Sequence, residues 1–201
     1  MTVTLDLLRH GEPQGGPRYR GQTDDPLSGR GWLQMHRAVA ARQPWQRIHS
    51  SPLRRCREFA AQLAARRQLP LRIDTAMTEI DFGRWEGRTA AALMRTEAEA
   101  LGRFWHDPVS HTPHGGESLT DYRDRIVTAW QGLLHELPRQ GRVLMITHGG
   151  SIRILLHHIL DIPLPRLQQI EVPYACLTRL RIDWHGGVPN VRLAAHGSRC
   201  S

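Results

Sequence analysis

The chain contains no lysine, and all 27 of its basic residues are arginines. That absence excludes the lysine of nucleotide-binding loops, Schiff-base lysines and lysine general bases together. A codon bias toward arginine is the ordinary explanation, although a guanidinium also grips phosphate in a two-pronged fork. Cysteine is scarce as well: Cys56, Cys176 and Cys200 are widely separated and form no Cys-x-x-Cys pair. This spacing argues against a disulfide framework and against a cysteine-rich zinc site. Apolar runs stay far below the ~20 residues of a membrane-spanning helix. The start shows no basic stretch leading into a signal-like apolar segment. The expectation is a soluble, cytoplasmic protein with no membrane partner.

What is present is ordinary globular material. The 201 residues are 40% hydrophobic and 23% charged, enough to bury a core without covalent staples and consistent with one domain. The formal charge of +8 permits nucleic-acid binding, but the arginines are scattered along the whole chain. No basic run alternates with aromatics, and no zinc-finger or RNA-recognition signature occurs. Nucleic acid is therefore not the expected partner.

Strand formers over Thr2–Leu8 stop at Arg9-His10-Gly11, and a turn-rich stretch follows. Helices are expected at Trp32–Ala41 and Leu53–Arg67, the latter opened by Ser50-Ser51-Pro52. Brief strands are expected at Arg47–His49 and Leu71–Ile73. Thr89–Phe104 reads as one helix, and Ser118 with Asp121 as a capping-box variant opens another that runs to about Leu137. Arg142–Thr147 is a continuous apolar strand of the kind buried on both faces of a parallel sheet. Ser151–Leu160 restarts as a helix, and strands are expected at Ala175–Ile182 and Val191–Ala195. Strands alternating with helices predict an α/β fold: one three-layer domain over 1–201 with a mostly parallel sheet. The stretch at about 79–117 is expected to form a small cap.

Two strands end alike, in Leu8-Arg9-His10-Gly11 and Thr147-His148-Gly149. Ligands of open α/β sheets bind outside the carboxyl ends of strands, so neighbouring strands would bring both histidines to one crevice. Each following glycine lets the backbone pass close to a ligand. An arginine beside a neutral imidazole suits an anionic substrate attacked by nitrogen. Taken alone, the residues leave alternatives open. Arg54 and Arg55 compete for phosphate contact, while Glu79, Asp81 and Glu86 compete for proton transfer. His111, His114, His157 and His158 match no motif and read as surface or lid positions.

Arg9-His10-Gly11-Glu12 resembles the signature of the histidine phosphatase superfamily, which includes the phosphoglycerate mutases. The similarity extends through Gly21–Ser28 with Gly31, Ser50-Ser51-Pro52-Leu53-Arg54-Arg55-Cys56, Glu79–Gly87 and Thr147-His148-Gly149-Gly150. The resemblance implies a phosphoglycerate mutase-like fold and phosphorylation of His10. It places Arg9, Arg55 and His148 around the phosphoryl group and makes Glu79 the proton donor to the leaving alcohol. It also implies contacts to the substrate from Gly21, Gln22, Thr23 and Gly149. No metal and no cofactor is implied, because two guanidiniums and a second imidazole can stabilise the equatorial oxygens.

The length is similar to that of the short phosphatase branch, whereas cofactor-dependent phosphoglycerate mutases are longer. Arg20–Asp24, Phe82–Glu86 and Gly115–Ser118 are similar to α-ribazole phosphatases, which strip the 5′-phosphate from a nucleotide-like precursor of the lower cobalamin ligand. The expected partner is a small-molecule phosphate ester, and a homodimer is left open. A broad-specificity phosphatase and a mutase-type enzyme are the alternatives. Trp85 and Trp105 bracket the cap, where an aromatic base would stack on them or they would simply pack. A serine hydrolase is the rival from another class: Gly149-Gly150-Ser151 lies between strand and helix, but Arg153 replaces the second glycine of G-x-S-x-G. A catalytically silent binding protein is the other. Cysteine-dependent and aspartyl-phosphate phosphatases lack their signatures here.

Overall fold

The computed structural model describes residues 2–40 and 44–198; Ala41 and Cys200 fall outside them. Six strands form one sheet in the order β3-β2-β4-β1-β5-β6, with β1 Thr2–Arg9, β2 Arg47–Ser50, β3 Leu71–Ile73, β4 Gly141–Thr147, β5 Leu177–His185 and β6 Val188–Ser198. The four strands from β3 to β1 run parallel, and β5 and β6 add an antiparallel edge. The expected mostly parallel sheet is therefore a mixed one. The hairpin extends beyond both strands expected from sequence because Gly186 and Gly187, both at positive φ, make a tight turn.

Period-two alternation divides the core into two layers. Val3, Leu5 and Leu7 of β1, with Val143 and Met145 of β4, pack against Tyr122, Ile126 and Trp130 of α5 (Leu119–Glu136) and against Ile152 and Leu155 of α6 (Gly149–Leu160). Leu8, Leu144 and Ile146 point the other way, to Met35 of α1 (Gly29–Ala38) and Phe59 and Leu63 of α2 (Arg54–Arg67). A strand buried on both faces explains the unbroken apolar run of β4. Between β3 and α5, Trp85, Leu93, Leu101 and Phe104 make a third, smaller apolar cluster.

Local chemistry sets the element ends. Ser28 caps α1 by accepting the Gly31 N–H at 3.0 Å, so the helix begins three residues before Trp32. Ser118 caps α5 through the Asp121 N–H, as the capping pair predicts. The single helix expected over Thr89–Phe104 is two, α3 Ala90–Thr96 and α4 Ala98–His106. The chain breaks at Glu97, whose carboxylate accepts the Trp85 indole N–H at 2.9 Å and pairs with Arg88. A tertiary bond thus overrides a helical pattern.

Asp6, fully buried on β1, ties three strands and a loop together. Its carboxylate accepts from Arg179 of β5 and the Trp45 indole, at 2.8 and 2.9 Å, and lies 3.6 Å from Arg142 of β4. Removing it would take a buried carboxylate away from two guanidiniums and from the buried Trp45 indole N–H. We expect Asp6→Ala to lower unfolding free energy by about 3 kcal/mol, read by urea denaturation.

Candidate active site

The parallel register of β1 and β4 aligns Arg9 with Thr147. The next residue of each strand is a histidine, and the His10 N–H donates to the Thr147 carbonyl at 3.0 Å. The two imidazoles meet edge to face with centroids 5.3 Å apart. Both lie at the carboxyl ends of their strands, and both are buried. His10 Nδ1 sits 2.7 Å from the Gly11 carbonyl oxygen, which can only accept. The proton is therefore on Nδ1 and the lone pair on Nε2. His148 Nε2 lies 2.6 Å from the Ser51 hydroxyl. His148 occupies the N-cap position of α6 without a side-chain cap bond, and the N-terminal dipole of that helix opens onto the same crevice.

Burial, followed by the positive charges of Arg55 and Arg9, holds His10 well below the usual imidazole pKa. His148 is held low by burial, Arg55 and the neighbouring His10. Both rings are neutral at pH 7. Arg55 is fully buried on α2 and donates to the Thr23 and Gly21 carbonyls, both at 2.7 Å. Arg9 donates to the Val172 carbonyl, and its guanidinium carbon lies 4.3 Å from the centre of the Tyr174 ring. The Nε of each arginine has no hydrogen-bond partner. Two desolvated guanidiniums with unpartnered N–H groups beside two neutral imidazoles make a pocket for an anion.

Glu79 closes one side. Its carboxylate accepts from the Tyr122 hydroxyl at 2.6 Å and from the Gly150 N–H at 3.0 Å. A Cβ at Gly150 would stand 2.1 Å from Glu79 Oε1, so glycine here leaves that carboxylate in place. Beside this carboxylate opens a recess of about 110 Å³ lined by Ile80, Phe82, Leu119, Ile154 and Arg153.

The structure thus brings together Arg9, His10, Arg55, Glu79, His148 and Gly149. Arg54 points outward to Glu58 at 2.7 Å, so Arg55 is the arginine that meets the histidines. Asp81 accepts the Gly83 N–H. Glu86 accepts the N–H groups of Gly21, Gln22, Thr23 and Phe82. Gly21 and Thr23 contribute carbonyls that hold Arg55, and the Gln22 amide donates to the Glu79 carbonyl. Trp85 is buried in the small apolar cluster, whereas Trp105 is half exposed and bonded to the Tyr19 hydroxyl at 2.7 Å. A base has no access to Trp85. The Nδ1 atoms of His111 and His157 are engaged by backbone carbonyls.

Four contributors escaped sequence reasoning. Tyr122 reads only as a core position of an amphipathic helix, and Tyr174 and Val172 fall in a loop without a motif. Ser51 reads as a helix-start residue. Among the described residues no cluster of three or more histidine, cysteine or acidic side chains is placed to hold a metal ion. No described helix is long and apolar enough to cross a membrane.

An imidazole pair framed by arginines at the carboxyl edge of an α/β sheet defines a phosphoryl-binding class of protein. The chain belongs to the histidine phosphatase superfamily, branch 1, whose model matches residues 5–194. It is 36% identical over 176 residues to a glucosyl-3-phosphoglycerate phosphatase of Mycolicibacterium vanbaalenii, covering 79% of this chain and 75% of that protein. It is 33% identical to the bifunctional protein Rv2228c of Mycobacterium tuberculosis over 94% of this chain. The chain spans about half the length of that relative, 52%. The structure of a putative α-ribazole-5′-P phosphatase from Escherichia coli superposes with a TM-score of 0.81 at 26% identity, over 98% of this chain and 97% of that one.

The depressed basicity of His10 yields a test of the charge model. Arg55→Met removes one cause of the depression, so the His10 pKa rises toward the ordinary value. Ring-proton NMR titration reads this directly; a His10 pKa unmoved in Arg55→Met would assign the whole depression to burial.

Proposed function

We propose that this protein is a phosphomonoesterase that works through a phosphohistidine at His10, without a metal or cofactor. The observation that carries the reading is the free Nε2 lone pair of a neutral His10 set among Arg9, Arg55 and His148. Nε2 attacks phosphorus while the bond to the alcohol oxygen breaks, and Glu79 gives that oxygen its proton. Water then attacks the phosphohistidine, Glu79 takes the water proton, and the N–P bond breaks to release phosphate. The Gly11 carbonyl supports the imidazolium formed between the two halves. Uncatalysed monoester hydrolysis needs acceleration of up to ~10²¹-fold, and one general acid supplies only about 10²–10⁴. Positioning and charge stabilisation by the guanidiniums supply the larger part.

The substrate is a small phosphate ester handled by a single domain, with the segment at about 79–117 acting as a cap over the leaving group. The motif stretches favour α-ribazole 5′-phosphate. The similarity to a named glucosyl-3-phosphoglycerate phosphatase favours, as a second reading, a phosphorylated sugar acid. Trp85 is buried, which leaves the half-exposed Trp105 as the one of the two tryptophans open to a base. Soluble, cytoplasmic operation without nucleic acid remains part of the proposal, as does an open question of monomer against homodimer that gel filtration answers.

Rapid-quench labelling with a phosphorylated substrate should trap an acid-labile adduct on His10. His10→Ala should abolish both adduct and turnover while leaving the circular dichroism spectrum unchanged, and full turnover in that variant would end the reading. EDTA should not inhibit. Glu79→Gln should slow alkyl phosphates by about 10²-fold or more and 4-nitrophenyl phosphate far less, since nitrophenolate leaves unprotonated. Relative kcat/KM on α-ribazole 5′-phosphate, glucosyl-3-phosphoglycerate, 3-phosphoglycerate and fructose bisphosphate then separates the substrate readings.

A further inference from the structure

Gly149-Gly150-Ser151 reads in sequence as half of a nucleophile elbow, yet Ser151 is fully buried. Its Oγ lies 2.9 Å from the hydroxyl oxygen of Tyr122, and Tyr122 donates to Glu79 Oε1 at 2.6 Å. A phenol carries a single hydrogen. With that hydrogen on Glu79, Ser151 is the donor to Tyr122, and the three groups form one directed chain from hydroxyl to phenol to carboxylate. Burial, then the charge of Glu79, pushes the Tyr122 phenol well above its usual pKa, so its proton stays in place. Ser151, its hydrogen committed and its oxygen shut from solvent, is no exposed nucleophile.

The two oxygens of Glu79 are unequal. Oε1 accepts from Tyr122 and from the Ile80 N–H at 3.2 Å, which uses both lone-pair directions. Among the described residues, Oε2 accepts the Gly150 N–H alone, in the first turn of α6. A proton entering this carboxyl has one open position, on Oε2.

We propose that Tyr122, oriented by Ser151, is a positioning residue that saturates Oε1 of Glu79 and so places the transferable proton on Oε2, the oxygen held at the start of α6 two residues after His148. The proposal rests on Glu79 being the proton donor of the reaction. The other charged and titratable groups around Glu79 are Arg9 of β1, Arg55 and Cys56 of α2 and Arg125 of α5, together with Arg153 of α6, which lines the same recess. Arg125 is itself held by Glu117 at 2.7 Å and by the Ala76 carbonyl at 2.7 Å. Tyr122→Phe leaves all of these in place and keeps the buried ring.

The test compares Tyr122→Phe, Ser151→Ala and the double variant on glycerol 3-phosphate, a poor leaving group, and on 4-nitrophenyl phosphate. Tyr122→Phe should lose about tenfold or more in kcat/KM on the first and less than about threefold on the second. A carboxyl that loses a donor to its charged form titrates higher. The basic limb of kcat/KM for glycerol 3-phosphate should therefore move up in pH. Ser151→Ala should shift both readouts in the same direction by less, and should add nothing in the Tyr122→Phe background, because it acts through the phenol.

Equal losses on the two substrates, an unmoved limb, or additive effects would each overturn the proposal. If Tyr122→Phe fails to fold, Ser151→Ala alone carries the substrate ratio and the pH profile. Glu79→Gln separates the two levels of the argument. If it too is unselective for leaving group, the proton-donor reading falls; if it is selective and Tyr122→Phe is not, only the positioning role falls.

Discussion

The site depends on one backbone register. Pairing Arg9 with Thr147 across two parallel strands puts a histidine at the same level on each, one step past the sheet. The side-chain period of a strand is two, so a slip of one residue would swap the side chains of β1 between the two core layers and part the imidazoles at once. The register is fixed from several directions. Leu5, Leu7 and Leu8 fill both core layers, Asp6 binds cations of β4 and β5, and the His10 N–H extends the ladder to the Thr147 carbonyl. Packing strength and site geometry are here the same contacts.

Around that pair the chain concentrates positive charge and then removes it from water. Arg55 and Arg9 are fastened to main-chain carbonyls rather than to carboxylates, so their charge is not cancelled before a ligand arrives. The cost of burying them is shared by the Coulombic pull of Glu79 on both. Guanidinium suits this role because it keeps its charge under desolvation that would strip an ammonium of its proton. Burial, and then the same field, keeps His10 and His148 neutral. One set of charges thus attracts an anion and adds to what holds the imidazoles unprotonated.

Much of this was legible in the string because it is encoded locally. The apolar runs of β1 and β4, the Ser118 cap and the two His-Gly strand ends each sit within a few residues, and they fix the architecture and most of the pocket. What escaped is encoded across distance. Glu97 breaks a well-patterned helix to meet Trp85. Glu86, a candidate acid in sequence, gathers three backbone N–H groups of a loop far from it in the chain and the N–H of nearby Phe82. Tyr122 looks like any core aromatic of a helix until the fold sets Glu79 and Ser151 on either side of its hydroxyl. Helix starts were misplaced where glycine obscured a cap, as at Gly29 and Gly31.

Arg9 is held by Val172, 163 residues later in the chain, and by Tyr174. While the ribosome is still adding β4, the emerging segment has one imidazole without its companion and a guanidinium without its clamp. Contacts of such wide sequence separation close late. The anion pocket is therefore a marker of completed maturation: a nascent chain halted before Tyr174 emerges lacks the full cradle for phosphate, however well its first strand and helices have formed.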